Sequence, residues 1–110
     1  MRWLGWRRVA VRGPSMSPAL SDGDVVLLRL GARARSGDVV LVRWPGRPGQ
    51  LSVKRAVRRA EGGWWVRGDN PFGSTDSDQL GPALVVAVAR ARLWPRPGRI
   101  PPAVGQSFRL

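Results

Sequence analysis

The chain has 110 residues and a formal charge of +12, with nineteen basic residues against seven acidic ones and no histidine. Cysteine is also absent, which excludes Ser-His and Cys-His catalysis, thiol redox chemistry and soft-metal sites. The length suits one domain with one modest core, and 14 Gly with 10 Pro favour a turn-rich fold over a helical bundle.

In chain order, residues 1–10 form a basic, tryptophan-bearing segment with no apolar core of signal-peptide length. Trp3 and Trp6 among Arg2, Arg7 and Arg8 suit peripheral contact with an anionic membrane surface, or equally a segment packed on its own domain. Asp24-Val-Val-Leu-Leu-Arg-Leu30 and Asp38-Val-Val-Leu-Val-Arg-Trp44 are short β-branched runs, each opened by a Gly-Asp turn signal, and both are predicted strands. Leu51 to Arg59 alternates, placing Leu51, Val53 and Val57 on one face and Ser52, Lys54 and Ala56 on the other. Glu61-Gly-Gly63 then turns the chain into Trp64-Trp-Val-Arg67, so a hairpin carrying Lys54 is predicted. Ala83 to Arg92 is the last predicted strand, and its apolar stretch is far short of a membrane span. The prolines from Pro95 onward predict a loose tail over residues 95–110, leaving 11–94 as the one domain. Few segments read as helical.

The charge invites a nucleic-acid partner, but it is spread along the whole chain and no nucleic-acid motif accompanies it, so no specific nucleic acid is predicted. Eighteen of the nineteen basic residues are arginine, and the exception is Lys54. Arginine does not give up its proton in a protein, whereas a desolvated lysine does. Lys54 is therefore the one basic side chain able to act as a general base, and a serine activated by lysine is the nucleophilic chemistry left to this chain.

Three stretches carry a resemblance. Gly13-Pro-Ser-Met-Ser-Pro-Ala-Leu20 with Gly23-Asp24, then Val53-Lys-Arg55, then Gly68-Asp-Asn-Pro-Phe-Gly-Ser-Thr-Asp-Ser77 with Gly81, resemble in order the boxes of type I signal peptidases and their relatives. Ser36-Gly-Asp-Val-Val40 resembles a fourth element, and Trp94-Pro95 is similar to the small branch that matures nickel superoxide dismutase. The resemblance implies a mostly β fold, the signal peptidase-like and LexA-like catalytic fold of short coiled antiparallel sheets with few or no helices. It implies a serine endopeptidase that removes an N-terminal leader from a precursor protein, nickel superoxide dismutase first. A type I signal peptidase whose membrane anchor lies outside this sequence is the alternative.

Residue by residue, the resemblance makes Ser15 the nucleophile and Lys54 the base. Val53, Val57, Met16 and Trp64 are candidates for the apolar wall that neutralises the amine. Ser74 matches the hydroxyl that orients the lysine, and Asp76 matches a carboxylate that fixes its loop through an ion pair. The arginine that often completes that pair is replaced here by Asp78, leaving Arg55 to supply the charge, with Asp69 as its other partner. Gly13 stands where several relatives carry an extra oxyanion-binding hydroxyl, so the oxyanion hole is expected to use main-chain donors. Met16, Leu27, Leu41 and Val42 are the expected lining for small substrate residues. No cofactor or metal is implied. A cytoplasmic location, or a peripheral one at the inner face of the cell membrane, is expected.

Overall fold

A computed structural model describes residues 5–72 and 75–103. Its elements are β1 (Trp6–Ala10), β2 (Val25–Leu30), β3 (Val39–Trp44), β4 (Arg47–Ala60), β5 (Gly63–Arg67), the short helix α1 (Ser77–Leu80) and β6 (Leu84–Trp94). The strands form one sheet in the order β1-β2-β6-β3-β4-β5, with every neighbouring pair antiparallel. The mostly β expectation is borne out.

The middle of the sheet explains why it holds. In β3, the successive residues Val39, Val40, Leu41 and Val42 are all buried, so both faces of this strand are covered. Val39 and Leu41 join a first cluster with Val11, Met16, Leu20, Val26, Leu28 and Ala87, whereas Val40 and Val42 join a second with Ala34, Trp44, Ala56, Val66, Ala83 and Val88. The period of two along a strand makes this division, and a continuous apolar run is what a strand buried on both faces requires. The first face is roofed by the loop between β1 and β2, which contributes Val11, Met16 and Leu20. On the second face, α1 docks by burying the Ser77 hydroxyl, which accepts the Val66 amide at 2.8 Å. The indole of Trp44 donates to the Gly81 carbonyl at 2.8 Å just beyond the helix.

Two features differ from the sequence expectations. The sheet begins at Trp6, within the segment read as a basic lead-in, because Trp6 to Ala10 pair in register with Arg29 to Val25. The strand is too short for its own periodicity to reveal it. The tail is not loose over its described part. Arg92 and Gly98 exchange main-chain hydrogen bonds of 2.8 and 3.0 Å, and Ile100 packs on the first cluster. The prolines remove only their own N–H donors, and the carbonyls that remain are claimed by arginines, as when Arg92 Nε donates to Arg96 O at 2.8 Å. Gly63 is required by position: a Cβ there would collide with the Ala83 carbonyl oxygen where β5 runs against residue 83.

Candidate active site

Ser15 lies in the loop joining β1 to β2, and the ends of that loop are tied together. Val11 N–H donates to Asp24 O and Gly23 N–H to Val11 O, both at 2.7 Å, and Gly13 N–H donates to Asp22 Oδ1 at 2.7 Å. Gly13 adopts φ 79°, a left-handed conformation natural to glycine and strained for other residues, which turns the chain into Pro14 and Ser15. Within the turn, Ser17 N–H donates to Pro14 O at 3.0 Å. A second clamp comes from residue 70. Asn70 N–H donates to Ser15 O at 2.8 Å, its Nδ2 donates to Pro14 O at 3.1 Å, and its Oδ1 accepts from Phe72 N–H. Asn70 belongs to the Gly68-Asp-Asn run that carried the resemblance, yet the sequence reading gave it no role of its own. An Asn in a turn next to a catalytic box was the available signal.

Lys54 sits on β4 opposite Val40 of β3 and is only 5% exposed. Burial pushes its ammonium below the ordinary lysine pKa, and the negative charge of Asp76 acts in the opposite, smaller sense. The cause is the cost of holding a charge where water is excluded. Ser15 and Lys54 line one cleft of roughly 440 Å³, with Leu41, Val53, Thr75 and Leu80 among its walls.

The supporting residues divide. Arg55, next to Lys54, pairs with Asp69 through two bonds of 3.1 and 2.7 Å and does not serve Asp76. Both side chains of this pair are almost fully buried, and the guanidinium also donates to Gly37 O and Pro101 O at 3.0 Å each, so it ties four segments together behind the site. Asp76 instead caps α1: its Oδ1 accepts the Asp78 N–H at 3.0 Å while Gln79 Oε1 accepts the Asp76 N–H at 3.1 Å. The carboxylate of Asp78 faces Arg67 and the Trp65 indole at 3.3 Å each. Ser74 lies outside the described residues.

Of the expected substrate-lining residues, only Leu41 reaches the cleft. Met16 and Val42 are wholly inaccessible members of the two core clusters and do not line the cleft. Leu27 lines a separate cavity with Trp6, Arg7 and Arg8 on the face of β1 and β2. Trp6 itself is half-buried, with the Arg29 guanidinium 5.0 Å from its ring.

Ser15 and a desolvated Lys54 thus share one cleft at the edge of the loop that roofs the sheet. Residues 7–79 match the model of the Peptidase S24-like family, and the chain belongs to that family. It is 35% identical to the mitochondrial ATP-independent inner membrane protease subunit 1a of Arabidopsis thaliana, across 77% of this chain and 68% of the relative. Two proteins of Schizosaccharomyces pombe are similarly related: mitochondrial inner membrane protease subunit 2, at 34% identity over 82% of this chain and 67% of the relative, and subunit 1, at 38% over 77% and 71%. The chain is thus a serine peptidase of the signal-peptidase I type. These relatives are named for an inner membrane, which points there and overturns the cytoplasmic location expected from the sequence. No helix among the described residues is long and apolar enough to cross a membrane.

Proposed function

We propose that the chain works through a Ser15–Lys54 dyad and removes an N-terminal leader from a precursor protein at a membrane surface. The observation that carries this reading is the placement of Ser15 and a desolvated Lys54 on the same cleft. The neutral amine takes the Ser15 hydroxyl proton as Oγ attacks the scissile carbonyl carbon. The resulting lysine ammonium then returns a proton to the departing amine, and the neutral amine next deprotonates the water that releases the acyl group. The oxyanion needs donors already in place. Pro14 has no N–H and the Gly13 N–H is committed to Asp22, and the main-chain N–H of Ser15, the donor that the family resemblance implies, is proposed to serve the oxyanion. Ser74 is proposed to orient the amine, and Asp76 to hold the loop leading to it.

The relatives support a precursor delivered to an inner membrane. The Trp94-Pro95 pair at the end of β6 supports a second, narrower reading in which the precursor is that of nickel superoxide dismutase. Both are tested by incubating the folded protein with a leader-bearing precursor of each kind from about pH 6 to pH 10, beside Ser15→Ala and Lys54→Arg. The parent is expected to cleave one precursor at its leader junction, and both variants to be folded and inactive. Substantial turnover by Lys54→Arg, whose guanidinium stays protonated throughout, removes the dyad from the mechanism.

A further inference from the structure

Among the described residues, the ionisable side chains that line the cleft holding Ser15 and Lys54 are all basic, while the carboxylate of Asp76, outside the lining, is near enough to act on Lys54. These lining residues are Arg12, Arg47 and Lys54, and none is a carboxylate. Arg12 lies in the loop after β1, three positions before Ser15, and Arg47 opens β4 opposite Trp44, so the two guanidinium groups come from separate segments; both residues are exposed. The acidic residues of the adjoining loops are engaged with the fold: Asp22 with Gly13 N–H, Asp24 with Ser21 N–H and Arg92, Asp76 with the start of α1. When Lys54 is neutral, as its role as base demands, Arg12 and Arg47 remain charged. The lining of the working cleft then has two fixed positive charges beside an uncharged base, with apolar Leu41, Val53 and Leu80, and the carboxylate acting on that base, Asp76, is held at the cap of α1.

We propose that Arg12 and Arg47 make this cleft selective for peptides bearing Asp or Glu close to the scissile bond. The proposal rests on the Ser15–Lys54 reading of the same cleft and adds the substrate class to it. A guanidinium fork matches a carboxylate in two parallel hydrogen bonds, and a bound peptide excludes water that would otherwise screen the pair. A basic substrate residue at the same place meets repulsion and loses solvation. Small apolar residues, which the same lining accepts, fill the remainder.

The test uses one peptide core with Asp, Asn or Lys placed in turn at the three positions on either side of the cleaved bond, and reads kcat/KM at low and high salt. At one or more positions, Asp is expected to exceed Asn by about threefold to tenfold at low salt, with Lys poorest and the gap narrowing as salt rises. Arg12→Gln/Arg47→Gln should abolish the preference, and Arg47→Glu should turn it toward Lys. Because the whole protein is cationic, Arg33→Gln/Arg90→Gln, on a different cavity, is the charge-matched control and should keep the preference. Equal kcat/KM for Asp and Asn peptides at every position, or loss of selectivity in the control as large as in the cleft variant, overturns the proposal. Failure of the parent to cleave any peptide falls instead on the Ser15–Lys54 reading, and takes this proposal with it.

Discussion

Replacing Lys54 by Met tests the buried base without relying on a substrate. Methionine keeps a long, flexible, apolar stem and removes the ammonium from a site that is 5% exposed. In the parent, burial lowers the native lysine pKa, with Asp76 partly offsetting it, while the unfolded chain keeps an ordinary lysine. Below the native pKa both states are charged and the full burial cost is present. Between the native pKa and the ordinary value of 10.5, the unfolded chain binds a proton that the native protein does not, so stability rises with pH. For one proton the steepest rise is about 1.4 kcal/mol per pH unit. The chain has no His, Cys or Tyr, so between about pH 6 and pH 10 only Lys54 and the terminal amine titrate, and the terminal amine is common to parent and variant. Urea unfolding of both proteins across this range should show Lys54→Met the more stable at the acidic end, with the difference shrinking toward the alkaline end. Peptide cleavage should be lost throughout. A difference that stays constant across the whole range means that the native lysine is charged whenever the unfolded one is, and the case for a neutral base collapses.

The electrostatic counterweight is tested by Asp76→Asn, which preserves a good helix cap while removing the charge that raises the Lys54 pKa. The rising limb of kcat against pH should move to lower pH, and an unmoved limb would show that Asp76 does not act on the base. Asn70→Ala removes the side-chain hold on Pro14 but leaves the main-chain bond to Ser15, so kcat should fall by roughly tenfold with a smaller change in KM. Equal kcat would make Asn70 a turn residue only. Arg55→Met leaves the Asp69 carboxylate buried without its partner, at a cost of about 3–5 kcal/mol by urea unfolding, and adding Asp69→Leu should recover most of it. A loss under about 1 kcal/mol in the single variant would mean that water reaches the pair.

The strands were readable because their chemistry is local. Val25 to Leu30 and Val39 to Trp44 carry β-branched residues after Gly-Asp turns, and the Glu61-Gly62 turn announces the β4–β5 hairpin. The start of β4 at Arg47 was hidden by Pro48 and Gly49, which are tolerated there because residues 47–51 are exposed. The choice of Lys54 as the proposed base was also a sequence matter, since only one lysine exists and arginine does not deprotonate. Which partner Arg55 takes was not. Asp69 and Asp76 are equally acidic in the sequence, and only the path of the chain after β5 brings Asp69 to the guanidinium and leaves Asp76 at the head of α1. Substrate lining was likewise a tertiary matter. Met16, Val42 and Leu41 are all apolar and all join the core clusters, but only Leu41 also reaches the cleft, because each strand residue's facing depends on register and on what covers the sheet. The order β1-β2-β6-β3-β4-β5 was decided in the same way, since pairing between strands distant in sequence depends on which apolar faces can be buried together and leaves no local signature.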